Sequence, residues 1–398
     1  MDLHILLNIF VLFGVTVAVI IICNFLKIPH LIGYLFTGIL LSPNTTSLLK
    51  EAHEVEIYAE IGVILLLYTV GLEFSFSNLR KIQRYILIGG SLQVFLTILF
   101  TTLLIWAMGR SIEESIFWGF VTALSSTAIV IKTLQDKVKL NTSYGKVILA
   151  VLLFQDIMIV PLMLFTPILA GQEGNPLIEI GELLLKLGGI GVLSWFLSRW
   201  VIPKLLYQIM KIQSQEVFLL TSIFIVTGIT LLTSYLELSL ALGAFIAGLI
   251  IAETDYNRLA ISCFLPFRYV FISFFFISMG MLLDYRIFIQ EFPLILFWLG
   301  FILLVKIAAG TSATFALKLP FKTSFTVGLA LAQIGEFSFL LSKEGLDQGL
   351  ISETSYQIFL SVSILTMAFT PFILNILEKT PPFVLFLRKK LWKKTKTT

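Results

Sequence analysis

Charge is what this chain most lacks. Of its 398 residues only 13% are Asp, Glu, Lys or Arg, while 58% are hydrophobic. A soluble domain of that length carries about a quarter charged residues, so a water-exposed globule is excluded and a polytopic membrane protein is implied. Cysteine occurs twice, as Cys23 and Cys263, each in or beside an apolar run. Two isolated thiols make neither a disulfide framework nor a metal site, and both read as small apolar filler. Histidine is scarce too: His4, His30 and His53 sit at the ends of apolar runs and form no metal cluster. The formal charge is only +4, with the basic residues gathered in short loops, so nucleic acid is not implied as a partner. Gly188, Gly189 and Gly191 follow no strand, so they read as a close-packing or kink feature and not as a nucleotide loop. No pair of intramembrane aspartates suits a protease and no Ser/His/acid set suits a hydrolase. An enzyme and a resident cofactor are therefore not expected.

What the chain does have is apolar runs of spanning length, roughly 17–25 residues each, from end to end. We read about thirteen spans, near 5–25, 30–48, 56–74, 85–108, 113–134, 146–169, 181–202, 215–235, 237–253, 265–283, 290–317, 322–343 and 353–378. The first run has no basic residue before it and no small-residue cleavage site after it, so it is expected to be a retained helix. Lys and Arg collect on the cytoplasmic side of membranes. Placing the basic tail 381–398 in the cytoplasm leaves only Lys50, Arg110, Arg286 and Lys343 outside. That orientation needs an odd number of spans and puts the N-terminus outside. Residues 1–380 then form one transmembrane domain, and the expected setting is a bacterial inner (plasma) membrane. An odd count also permits two six-helix halves, 5–169 and 215–378, as inverted copies joined by a linker helix at 181–202. Transporters built this way carry interrupted helices at matching positions of the two halves. Here the matching spans are the fifth, with Ser125, Ser126 and Thr127, and the twelfth, with Gln333, Gly335 and Glu336.

Three charges lie deep in apolar sequence: Asp156, Lys306 and Glu336. A carboxylate at the bilayer centre costs roughly 2.5–3.5 kcal/mol on insertion scales, so such a group rarely persists without a task. Asp156 can be neutralised by a cation or by a proton, but not by both at once. Gln155 adds an amide oxygen that can ligate a cation without competing for protons. The hydroxyls of Ser125, Ser126 and Thr127 are oxygen ligands of the kind hard cations take, and unwound backbone is tolerated at depth where it lines a cavity. Lys306 is expected to pair with Asp156 or Glu336, Glu336 to be a second proton site or a helix-fixing acid, and Gln333 to support either. Alternatives remain a gated, channel-like potassium efflux path and a receptor-like protein whose buried charges only fix its fold.

Six short signatures occur in order: Gly71-Leu72-Glu73-Phe74, Ser125-Ser126-Thr127-Ala128-Ile129, Leu153-Phe154-Gln155-Asp156, Ala241-Leu242-Gly243-Ala244-Phe245, Phe275-Phe276-Ile277-Ser278-Met279-Gly280-Met281 and Gln333-Ile334-Gly335-Glu336-Phe337. Together they resemble the membrane domain of the monovalent cation:proton antiporter-2 family, nearest the Kef-type potassium/proton antiporters. That resemblance implies an all-helical, sodium/proton antiporter-like fold of about thirteen helices, with crossed, broken helices in spans 5 and 12, working as a homodimer in the bilayer. It implies that Asp156 carries the monovalent cation (K+ before Na+) or H+ by turns, and that Lys306 is the core lysine. Gln155 departs from the Asn-Asp or Asp-Asp pair of many sodium/proton relatives and matches the Kef branch. Kef-type proteins also use a cytoplasmic nucleotide-binding regulatory domain or subunit. These 398 residues show no Gly-rich loop for one, so either the protein is naturally short or that domain or subunit lies outside this chain.

Overall fold

The computed structural model describes residues 3–26, 28–42, 45, 52–73, 83–136, 142–171, 176–236 and 240–379. The basic tail assigned to 381–398 and Phe74 of the first signature lie outside the described residues. Every regular element among those described is helical. Backbone amides and carbonyls in lipid must be satisfied within their own segment, which the helix does and an open strand does not. In chain order the helices are α1 (Leu3–Leu26), α2 (His30–Leu41), α3 (Ala52–Glu73), α4 (Tyr85–Ala107), α5 (Ile112–Ala123), α6 (Thr127–Asp136) and α7 (Ser143–Leu169). Then come α8 (Pro176–Phe196), α9 (Ile202–Met210), α10 (Gln215–Tyr235), α11 (Leu240–Ala252) and α12 (Asn257–Met281). The last are α13 (Tyr285–Gln290), α14 (Phe292–Ala316), α15 (Phe321–Ala330), α16 (Glu336–Asp347) and α17 (Glu353–Lys379).

Each expected span has a helix, and the differences are physical. Among the described residues seven helices are long and apolar enough to cross a membrane alone. The fifth and twelfth spans are each two short helices. The linker span is longer than 181–202, because α8 passes through a π turn at Leu197–Val201 straight into α9. Asn257 to Pro266 also belongs to α12, where apolar positions alone place the start near 265.

The chain divides into two compact units, 1–81 with 160–289 and 82–159 with 290–398. Each unit therefore draws on both sequence halves. In the first unit the packing rule is close glycine contact. A Cβ at Gly38 would lie 2.8 Å from Gly280 Cα, and one at Gly71 would lie 2.9 Å from Gly248 Cα. Small residues let helix backbones approach in this way where lipid supplies no hydrophobic drive. Gly243 and Gly248 are close-packed in this way, with a Cβ at Gly243 meeting Thr230 Cα at 2.6 Å. Gly188, Gly189 and Gly191 are not: nothing lies within 4 Å of a Cβ added at any of them. Phe274, Phe275 and Phe276 are buried, so that run is core and not lipid-facing.

The second unit buries an apolar cluster built from Val130, Val147, Val151, Val327 and Leu331 with their neighbours. It brings the end of α15 against α6 and the first half of α7. That packing fixes the heights of residues 124–126, 155–156 and 331–336 relative to one another.

Candidate ion-binding site

Both interrupted helices lie in the second unit. α5 ends at Ala123 and α6 begins at Thr127, leaving Leu124, Ser125 and Ser126 non-helical. α15 ends at Ala330 and α16 begins at Glu336, leaving residues 331–335 non-helical. The two breaks touch. Gly335 N donates to Leu124 O at 3.1 Å, and a Cβ at Gly335 would lie 2.6 Å from Ser125 O. Only glycine allows that approach.

A broken helix at depth exposes unpaired carbonyls at one end and unpaired amides at the other. The sequence supplies a partner for each. Lys306, fully buried on α14, donates to Thr122 O at 2.6 Å and to Leu124 O at 2.8 Å. A cation at a helix C-terminus also offsets the negative end of its dipole. Ser125 Oγ donates to Leu331 O at 2.8 Å, closing the end of α15. Ser126 Oγ accepts from Ile129 N at 3.3 Å as the N-cap of α6. Ile334 N donates to Thr366 Oγ1 of α17 at 3.2 Å, and Gln333 Nε2 reaches Ser126 O at 3.4 Å.

Asp156 sits on α7 beside the start of α6, with 5% of its surface exposed. The Thr127 hydroxyl donates to its carboxylate, 2.9 Å from Oδ1 and 3.1 Å from Oδ2. Gln155, its neighbour, faces the break. Gln155 Oε1 accepts from Ser125 N at 2.9 Å, and its Nε2 donates to Gln93 Oε1 at 2.6 Å. Gln93 Nε2 in turn donates to Thr97 Oγ1 at 3.1 Å. Glu336 is buried in the first turn of α16, where its charge meets the positive end of that helix.

Several expectations change in detail. Lys306 has backbone carbonyls, not a carboxylate, as its hydrogen-bond acceptors. Of the three hydroxyls, Ser125 and Ser126 hold backbone at the breaks and Thr127 alone meets Asp156. One lone pair of the Gln155 amide oxygen is already taken by Ser125 N, leaving the other for a ligand. Gln93 and Thr366 were not foreseen. Gln93 is the lone amide in an apolar helix, a signal available in sequence. Thr366 is one hydroxyl among many, and nothing in its surroundings singles it out.

A nearly enclosed acid beside two touching helix breaks marks a polytopic membrane protein of the interrupted-helix class. Residues 11–379 match the family model "Sodium/hydrogen exchanger, transmembrane". The chain belongs to that family. It is 32% identical over 371 residues to the putative K(+) efflux antiporter KefB of Alkalimonas amylolytica, covering 93% of this chain and 56% of that protein. It is 31% identical over 382 residues to the glutathione-regulated potassium-efflux system protein KefC of an Escherichia coli strain, covering 95% of this chain and 61% of the relative. K(+) efflux antiporter 2, chloroplastic, of Arabidopsis thaliana is 32% identical, and this chain spans 32% of its length. The chain thus spans between about a third and about three-fifths of these relatives. Its fold is that of the sodium proton antiporter MjNhaP1 from Methanocaldococcus jannaschii, with TM-score 0.73 at 18% identity, over 95% of this chain and 99% of the other.

Proposed function

We propose that this chain exchanges a monovalent cation for H+ by alternating access, with the two occupants competing at Asp156. The observation that carries the reading is the Asp156 carboxylate, nearly enclosed, beside the crossing of two helix breaks and within hydrogen-bond reach of Thr127. An acid in that setting needs a neutralising partner, and a cation or a proton each supplies one. Thr127 Oγ1 and the remaining lone pair of Gln155 Oε1 are the nearest further oxygens for a hard cation. Potassium is the first choice of substrate, because similar relatives are named K(+) efflux antiporters; sodium is second. Lys306 serves as the fixed charge that holds the α5 end, and Glu336 and Gln333 support the second break. The halves 5–169 and 215–378 act as inverted repeats. No enzymatic step is assigned to any group.

The working form we infer is a homodimer in a bacterial inner membrane, N-terminus outside and C-terminus cytoplasmic, with regulation from a nucleotide-binding domain or subunit outside this chain. The test is reconstitution into liposomes loaded with a pH dye, adding potassium, sodium and lithium separately. Exchange predicts cation-driven alkalinisation or acidification whose direction reverses when the pH gradient is reversed. Ion flux indifferent to the pH gradient would mean a channel, and no flux with any cation would defeat the transport reading.

A further inference from the structure

Away from the crossing, the second unit holds a cavity of about 280 Å³ lined by, among others, Glu114, Trp118, Trp298, Phe301 and Phe359. Its apolar walls combine aliphatic side chains with four aromatic rings. The Trp118 and Phe359 ring centroids are 5.6 Å apart, and those of Trp298 and Phe301 are 5.1 Å apart, edge to face. Its charged groups are Glu114 and, toward solvent, Arg110. Glu114 Oε1 accepts from Trp118 Nε1 at 3.3 Å and lies 3.5 Å from Arg110 Nη1. The two partners are unequally held: the Arg110 side chain is 59% exposed and Glu114 only 17%. A guanidinium that far into solvent, one helical turn from its partner, is readily given up. The acid, fixed by the Trp118 indole, stays.

Aromatic faces carry negative charge density and attract cations, so they and Glu114 favour the same sign. A bare metal ion would find few oxygens there to replace its hydration. An anionic amphiphile would have to approach Glu114. Cavities that take drug-sized ligands run from about 300 to 1,000 Å³, so this one suits a compact guest and not a two-chain lipid. We propose that the cavity is a binding site for a compact lipophilic organic cation, with its ammonium or guanidinium group on Glu114 and its apolar body among the four aromatic rings. The site is separate from Asp156. It reaches toward the crossing through Thr122, which lines the cavity and whose carbonyl oxygen takes the Lys306 hydrogen bond.

The test is equilibrium binding to the full chain in lipid nanodiscs, by calorimetry with empty nanodiscs subtracted. The probes are 1-naphthylmethylammonium, its neutral counterpart 1-naphthylmethanol and the anion 1-naphthylacetate. The cation should bind about tenfold more tightly than the alcohol, and the anion weakest. Glu114→Gln should erase the cation's advantage, Trp298→Leu should weaken the cation, and Arg110→Ala should tighten it by releasing Glu114. Equal binding of cation and alcohol would overturn the proposal. So would tighter binding of the anion, an advantage that survives Glu114→Gln, or no saturable binding of the cation at millimolar concentration. If Glu114→Gln does not fold, the three-probe comparison on the unaltered chain and on Arg110→Ala decides.

Discussion

Lys306 shows what a single residue does at bilayer depth. Its sequence position announces a buried charge and invites a carboxylate partner, yet its acceptors are Thr122 O and Leu124 O. A backbone acceptor cannot be read from composition, because it exists only once α5 stops where it does. Replacing Lys306 with Met takes the donor from Thr122 O and leaves Leu124 O with Gly335 N alone. Such a loss costs about 1–3 kcal/mol, so thermal unfolding in detergent should shift well below that of the unaltered protein, and Lys306→Arg should recover part of the difference. An unchanged midpoint for Lys306→Met would show that the carbonyls are satisfied otherwise. Gln93 acts one step removed from the site. By holding Gln155 Nε2 it fixes which face of that amide meets Ser125. Partners of this kind typically carry 10–100-fold in affinity at metal sites, so Gln93→Leu should weaken apparent cation affinity by about tenfold while the maximal rate falls less. Unaltered half-saturation in the pH-dye assay would remove Gln93 from the account.

The interrupted helices are the decisive elements, and they were the most legible part of the site. Ser125-Ser126-Thr127 and Gln333-Ile334-Gly335-Glu336 are polar stretches set in apolar sequence, and both coincide with real breaks. The pairs even mirror each other, 12 then 10 residues in α5 and α6, 10 then 12 in α15 and α16. What those stretches did not reveal is the division of labour among their hydroxyls, which depends on which backbone groups the breaks leave open. For Gly188, Gly189 and Gly191 the close-packing half of the reading fails for a related reason, since a glycine run says that close approach is allowed and not that anything approaches. The contrast gives a paired prediction. Gly335→Ala places a methyl 2.6 Å from Ser125 O, and overpacking of that kind costs about 1–3 kcal/mol. It should lower both thermal stability and exchange, while Gly188→Ala should leave both unchanged. Equal behaviour of the two variants would argue against the crossing as the sensitive point.

At the scale of the whole molecule, hydropathy and the scarcity of charge sufficed for the fold class, while the two compact units were hidden because each combines segments far apart in sequence. The proposed orientation is a property of this scale and is argued from the distribution of Lys and Arg. With Cys23 and Cys263 replaced by Ala, Ser352→Cys should react with a membrane-impermeant maleimide in intact cells. Ile212→Cys should react only after permeabilisation, and the reverse pattern would invert the assignment. The proposed function rests on one carboxylate serving two occupants by turns. The most direct test is to reconstitute Asp156→Asn in pH-dye liposomes beside the unaltered chain, at matched protein content and with unchanged thermal unfolding. The account predicts potassium-driven proton movement with the unaltered chain and none with Asp156→Asn at any potassium concentration. Proton movement of equal rate in both would contradict it.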